Sequence, residues 1–194
     1  MKWEWSYQDP NAVRGLTDVL LAHWPTDRRL LVLCIGTDAV IGDAVGPLLG
    51  TWLQGNNVWA AGCLHTPINS DEVGTVAAEV KAYNAEGPLW ALAVDANLST
   101  VKEGTIWFEP TPCMPGSGIG HLLPMLGDAS IYAAVTSPIL FGSARYAAEQ
   151  NRNRLGVVRL SLVYDVASVI FYAILGAVKE RAGLNQAATA GTAQ

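Results

Sequence analysis

Charged residues are scarce in this sequence, and their scarcity excludes two classes of protein. Of the 194 residues, 15% are charged, while 51% are hydrophobic. An average soluble domain has about 25% charged residues, and an intrinsically disordered chain combines low hydrophobicity with high charge. A formal net charge of −5 also provides no overall basic excess of the kind that a nucleic-acid-binding protein shows. We therefore expect an ordered domain that has no nucleic-acid partner.

Cysteine is also rare, and the pattern of its three positions excludes a disulfide framework. The number of cysteines is odd, and no two of Cys34, Cys63 and Cys113 have CxxC spacing. We predict buried free thiols, as in a cytoplasmic protein. The first residues, MKWEW, lack the apolar run of a signal peptide, which agrees with a cytoplasmic location.

Only one apolar run is long enough to suggest a membrane span. Residues 160–178 are nearly all apolar but include Asp165, a charge that is costly at the centre of a membrane helix. Ser161, Asp165, Ser168 and Tyr172 fall on one helical stripe. A helix with a single narrow polar stripe is typical of a protein core, so we predict a core helix and no membrane partner.

Apolar runs alternate with helical patterns along the chain. Continuous runs of this kind predict strands buried on both faces, and their alternation with helices predicts a three-layer α/β/α sandwich with a mostly parallel sheet. We interpret residues 1–181 as one α/β domain and residues 182–194 as a flexible C-terminal tail. The predicted strands are 30–35, 58–62, 89–94, 105–109 and 129–135, and the predicted helices are 10–24, 43–54, one that opens at 69–72, 142–151 and 157–181.

Acidic residues follow two of the predicted parallel strands. Asp38 and Asp43 come after the first strand, and Asp95 ends the strand 89–94. The carboxyl ends of parallel strands form the edge where ligands bind, so these side chains should meet there. Two carboxylates can share a proton and activate water, or hold a metal. The alternatives are structural: a helix cap for Asp43 and a turn former for Asp95.

The glycines after the first strand do not indicate a nucleotide site. The segment GTDAVIGDAVG has neither the GxGxxG pattern of a dinucleotide-binding fold nor the lysine of a phosphate-binding loop.

A second glycine-rich segment, residues 115–121, is the other candidate for the site. Alternating glycines allow a loop to wrap a cleft or to present N–H groups to an anion, and a tight structural loop is the alternative. We predict that Gly116, Ser117, Gly118 and His121, together with Asp38, bind substrate. Ser117 lacks the GxSxG elbow of a serine hydrolase, so it is not interpreted as a nucleophile.

Histidine and arginine add three further candidates. His23 lies on the apolar face of a predicted helix and is interpreted as structural, whereas His65 follows a predicted strand and can approach the site. Arg159 begins the long apolar helix and either pairs with a site carboxylate or solvates the helix end.

Four segments in this order resemble the YyaC-like sporulation protein family, which is related to the spore germination protease. They are CIGTDAVIGDAVGP at 34–47, AVDA at 93–96, PGSGIG at 115–120 and residues 159–167 in the last predicted helix. The resemblance implies a fold shared with germination proteases and hydrogenase-maturation proteases. In the germination protease, aspartates matching Asp43 and Asp95 are candidate catalytic groups. In the hydrogenase proteases, carboxylates at these two positions help to bind nickel.

The resemblance leads to a functional hypothesis with two alternatives. The main hypothesis is a sporulation or germination peptidase in which Asp43 and Asp95 are catalytic, with small spore proteins or other peptides as substrates. It would act in the cytoplasm of the mother cell or forespore, and homo-oligomers are expected. One alternative is a non-catalytic binding or assembly protein, since fold does not determine function. The other is a maturation protease that depends on a divalent metal, for which no third ligand is assigned.

Overall fold

A computed structural model describes residues 3–116 and 123–191 of the chain, with side chains for all of these except Glu86 and residues 185–191. The described strands form one six-stranded sheet. The strands are β1 Trp3–Ser6, β2 Arg29–Cys34, β3 Ala60–Ala61, β4 Leu89–Leu98, β5 Thr105–Glu109 and β6 Ala129–Thr136. The helices are α1 Ala12–His23, α2 Val45–Gly55, α3 Val73–Glu86, α4 Ala144–Gly156 and α5 Leu160–Gly191, and a 3-10 turn spans Ile41–Asp43.

The sheet is mostly parallel, as predicted. Its strand order is β1-β5-β6-β4-β2-β3, and β3, β2, β4 and β6 pair in parallel. The strand β5 is antiparallel to both β6 and β1. The strand β1 is absent from the strands predicted by the sequence. Its pairing places Trp3 opposite Phe108 and Trp5 opposite Ile106.

Alternate side chains of the sheet enter two separate cores. Val32 and Cys34 of β2 belong to the core under α1, α2 and α5, while Leu31 and Leu33 belong to the core on the α3 side. Successive side chains of a strand point to opposite faces of the sheet. Both faces of a strand are therefore apolar only when its sequence is a continuous run of apolar residues. Helices therefore cover both faces, and the predicted three-layer α/β/α sandwich is confirmed.

The helix α5 buries one face and exposes its polar stripe. Val163, Ile170 and Ile174 are fully buried against the sheet, whereas Asp165 and Tyr172 are exposed. In the described chain, Leu160–Leu184 is the one helical stretch long and apolar enough to cross a membrane, with a mean hydropathy of 1.9. A helix in the core of a soluble protein can be equally long and apolar.

Several helix boundaries differ from the predicted ones: α1 spans Ala12–His23 instead of 10–24, and α4 spans Ala144–Gly156 instead of 142–151. The helix expected to open at 69–72 begins at Val73, because the side chain of Asn69 accepts a hydrogen bond from the Asp71 N–H at 2.8 Å and forms a turn instead of a capping box. The helix predicted from residue 43 begins at Val45, after the 3-10 turn. At the C-terminal end, α5 continues beyond residue 181 to Gly191.

Candidate functional site

Two neighbouring parallel strands bring Asp43 and Asp95 to one edge of the sheet. The register of β2 with β4 pairs Cys34 with Val94, so Asp95 lies one residue beyond the last paired position of β2. Asp43 returns to this edge through the loop after β2. The Thr37 N–H closes that loop by donating to the Asp43 carboxylate (3.1 Å) and to the Asp43 carbonyl oxygen (3.2 Å).

Both aspartates line a cavity of about 310 Å³ at the carboxyl edge of β2 and β4. Its walls are largely apolar, and a few polar side chains enter it. The polar residues that line it besides the two aspartates include Asn69, Ser70, Asn97 and Arg152, and the apolar ones include Ile35, Val40, Ile68, Val73 and Leu155. An apolar cavity with a few converging polar groups is the usual form of a small-ligand or catalytic site.

The environment of the two aspartates favours their protonated forms. Burial raises the pKa of Asp43 to about 7, although the hydrogen bond from Thr37 opposes the shift. Burial raises the pKa of Asp95 well above its usual range, and the negative charge of Asp43 raises it further. Like charges in a shared site cannot both ionise easily. The pair is therefore expected to hold one proton near neutral pH.

A buried cysteine and a tyrosine lie behind Asp95. The Cys113 thiol approaches the Asp95 carboxylate at 3.9 Å, and Cys113 is fully buried. Burial raises the pKa of Cys113 and that of Tyr132, so both groups remain protonated at neutral pH. The Tyr132 hydroxyl accepts a hydrogen bond from the Met114 N–H at 3.2 Å. Tyr132 therefore fixes the segment that carries Cys113.

Sequence reasoning does not place Cys113 or Tyr132 at the site. The prediction that all three cysteines are buried free thiols is confirmed. The position of Cys113 beside Asp95 depends on a bridge between Cys113 and Leu126, which folds the long loop back on itself. No local pattern in the sequence marks this bridge.

The predicted substrate-binding residues have different positions. Gly116 lines the cavity with a positive φ of 72°, a conformation that suits glycine. Asp38 lies on the loop after β2 but is exposed and does not line the cavity. Ser117, Gly118 and His121 lie outside the described residues. Their proposed role in binding stays a prediction.

The other polar candidates are separated by the fold. The His23 ring packs between Trp3 and Phe108, which agrees with a structural role. His65 and Arg159 are exposed and do not line the cavity. Arg152 of α4 lines it instead, and no sequence pattern distinguishes Arg152 from the neighbouring arginines.

The described residues do not fit a metal centre. Zinc and similar ions take three or four protein ligands. Within residues 3–116 and 123–191, no three His, Cys, Asp or Glu side chains are grouped as such a site needs.

Fold and site together define a three-layer α/β/α protein with a carboxyl pair in a cavity at the edge of its sheet. Residues 4–173 match the family described as protein of unknown function (DUF1256), and the chain belongs to that family. A similar protein is "Uncharacterized protein YyaC" of Bacillus subtilis (strain 168), which is 32% identical over 171 residues. The match covers 85% of this chain and 78% of the relative. The predicted membership of a YyaC-like family is confirmed, whereas the relation to proteases stays a prediction.

Proposed function

We propose that this protein is a peptidase-like hydrolase of sporulation or germination, in which Asp43 and Asp95 activate water. One observation carries the proposal: both carboxyl groups line the same cavity, and each has a raised pKa. Perturbed carboxyl groups in a cleft are typical of catalytic acids and bases. The resemblance to germination proteases supports peptides as the substrate class.

The two aspartates differ in a way that assigns their roles. Asp43 is partly exposed, and its carboxylate accepts a hydrogen bond from the Thr37 N–H. Both features favour the ionised form of Asp43. Asp95 is buried beside the charge of Asp43, which favours its neutral form. Asp43 is therefore the general base, and Asp95 is the general acid.

In the proposed reaction, water in the cavity attacks the carbonyl carbon of a peptide bond. Asp43 takes a proton from the water while the Asp95 proton passes to the carbonyl oxygen, which gives a neutral tetrahedral intermediate. When the C–N bond breaks, the proton held by Asp43 moves to the leaving nitrogen, and a hydroxyl proton of the intermediate returns to Asp95. The two carboxyl groups end in their starting states.

The test is to replace each carboxyl group by an amide of the same shape. We expect Asp43→Asn and Asp95→Asn each to reduce peptide cleavage roughly 100-fold or more, the usual contribution of general acid–base catalysis. Cleavage of a small acid-soluble spore protein and of a mixed peptide library is followed by mass spectrometry. Asp165→Asn, which removes an exposed carboxylate of α5, is the matched control. Cleavage at the wild-type rate by both site variants would contradict the mechanism.

The pH profile tests the assignment of roles. Cleavage should decrease below about pH 7 as Asp43 becomes protonated, and it should decrease again in alkali as Asp95 loses its proton. The expected curve of rate against pH is a bell. A rate that increases steadily far into the alkaline range would show that no protonated group is needed.

A non-catalytic binding module is the second candidate function. The predominance of apolar side chains in the cavity wall favours it, since such a wall can hold a peptide without reacting with it. In this case Asp95→Asn would capture the same peptides from sporulating cells as the wild type, and the wild type would release them uncut. Cleaved ends in the wild-type eluate would exclude this alternative.

A further inference from the structure

A second cavity, of about 400 Å³, lies at the opposite edge of the sheet, where β2 begins. It is bounded by the segment after α1, by the turn before β3 and by α5 near residue 181. Arg28, Arg29 and Arg181 all line it. They are three of the 12 lysines and arginines in an acidic chain, so positive charge is concentrated here.

Arg181 is a buried cation that has no carboxylate partner within the described chain. It is 8% exposed, and its guanidinium donates to the carbonyl oxygens of Leu21 (3.2 Å) and Trp24 (2.7 Å) at the end of α1. Its Nε is buried without a hydrogen-bond partner. A helix C-terminus supplies the equivalent of about half a negative charge, which leaves part of the Arg181 charge uncompensated. Buried arginines are normally paired.

Aromatic rings hold two of these guanidinium groups in place. The Arg181 guanidinium lies 4.9 Å from the centre of the Trp24 ring, and that of Arg29 lies 4.7 Å from the Trp59 ring. A guanidinium stacked on an indole is oriented by it, while the N–H donors at its edge can still bind an oxyanion. The stacking therefore reduces the conformational entropy that these arginine side chains lose when an anion binds.

The remaining charged groups leave the cavity positive. Arg28 is exposed, and its guanidinium reaches the Leu89 carbonyl oxygen at 3.4 Å. Asp27 also lines the cavity, and the described structure contains no ion pair between it and the arginines. Three arginines and one aspartate give a formal charge of +2, which matches a dianion.

We propose that this cavity binds a phosphate dianion, either free or as a phosphate monoester. Arg181 provides the buried charge, and Arg29 and Arg28 close over the phosphate oxygens. Arginine suits this ligand because its fork of N–H donors matches the geometry of phosphate. The site is separate from the carboxyl pair and does not depend on the proposed peptidase activity.

The test is a calorimetric titration of the full chain with inorganic phosphate at constant ionic strength. We expect saturable binding at one site, weakened roughly tenfold by Arg29→Gln through loss of a charge-assisted hydrogen bond. Arg29 is exposed, so this variant should fold. Arg145→Gln, at an exposed position on α4, removes the same charge elsewhere and should bind phosphate like the wild type.

Two further measurements keep the proposal falsifiable. Glycerol phosphate should compete with inorganic phosphate, and Arg181→Lys should bind phosphate more weakly while its circular dichroism spectrum stays that of the wild type. If Arg181→Lys does not fold, Arg28→Gln takes its place. Non-saturable heats, or equal affinity in the Arg29→Gln and Arg145→Gln variants, would overturn the proposal.

Discussion

At the scale of single residues, the position of Asp95 depends on groups that do not enter the cavity. Tyr132 stacks on Trp107 with ring centres 5.3 Å apart, and its hydroxyl accepts the Met114 N–H. This hydrogen bond fixes the backbone next to Cys113, whose thiol meets the Asp95 carboxylate. The acid pair is therefore supported from the α3 side of the sheet.

The Tyr132→Phe variant tests this support. The ring and its stacking remain, but the Met114 N–H loses its acceptor, which should lower the free energy of unfolding by about 1 kcal/mol. Urea denaturation measures the change. Tyr83→Phe is the matched control because Tyr83 is 50% exposed, and its effect should stay within about 0.5 kcal/mol. Equal effects of the two variants would contradict a supporting role for Tyr132.

Single residues also show which parts of the site can be predicted from sequence. Asp95 directly follows the apolar run 89–94, and the rule for parallel sheets predicts it near the carboxyl edge. The strand β4 continues to Leu98, and Asp95 reaches that edge because its neighbour β2 ends at Cys34. The sequence predicts Asp43 at the start of a helix, and the 3-10 turn keeps it at the same edge. Cys113 and Arg152 could not be predicted, because a long loop and a helix from distant parts of the chain bring them there.

At the scale of elements, α2 approaches the backbone at the ends of β2 and β3 closely at two of its glycines. A Cβ atom on Gly46 would overlap the carbonyl oxygen of Ile35, and one on Gly50 would overlap that of Gly62. Backbone cannot move aside as a flexible side chain can. The close approach of α2 therefore fixes the loop before it, which carries Asp43.

The Gly50→Ala variant should disrupt this contact. The added methyl group meets backbone, so we expect the free energy of unfolding to decrease by about 1–3 kcal/mol or more. In the same helix, a methyl group on Gly55 would have no other atom within 4 Å, and Gly55→Ala should increase stability by up to about 1 kcal/mol. Thermal unfolding of both variants gives the comparison, and a neutral Gly50→Ala would contradict the backbone contact.

The helix α5 allows a second test at this scale. Ile174 is fully buried, and Ile174→Ala should lower the free energy of unfolding by about 2–5 kcal/mol. Leu184→Ala, at a side chain that is 62% exposed, should change it by less than about 0.5 kcal/mol. Chemical denaturation distinguishes the two variants. Similar small effects would contradict the assignment of α5 as a core helix.

Elements also differ in how well the sequence predicts them. Continuous apolar runs identify β2, β4 and β6, because strands buried on both faces leave a strong pattern. The strand β1 has four residues, WEWS, and so short an alternation of apolar and polar residues does not distinguish a strand from a loop. Its pairing with β5 is a tertiary contact that local sequence does not encode.

At the scale of the whole molecule, the buried acid pair should make stability depend on pH. The pKa of Asp43 is raised from 3.8 to about 7, and that of Asp95 is also raised. Between pH 3.8 and about 7 the folded chain binds more protons than the unfolded chain does, so the free energy of unfolding decreases as pH increases. The stabilisation from Asp43 is complete below pH 3.8 and is lost as pH passes about 7.

We therefore expect Asp43→Asn to raise the melting temperature above about pH 7, the pKa of Asp43. The melting temperature of this variant should also depend less on pH than that of the wild type. The gain should be about 1–2 kcal/mol, less than the full pKa shift implies, because Asp43 is partly exposed. Asp165→Asn removes one exposed charge and reports the general effect of the net charge of −5. Calorimetry from about pH 5 to about pH 8 measures both variants. A parallel loss of stability in wild type and Asp43→Asn would exclude Asp43 as the source.

The two outer strands of the sheet have a consequence for behaviour in concentrated solution. The outer strands are β3, which has two residues, and β1, which has four. Each of these two strands therefore offers few unpaired N–H and carbonyl groups. Long, flat outer strands act as templates on which other chains add and aggregate, and short ones are a common protection. Self-association of this protein, where it occurs, is therefore expected through helix surfaces and not through growth of the sheet.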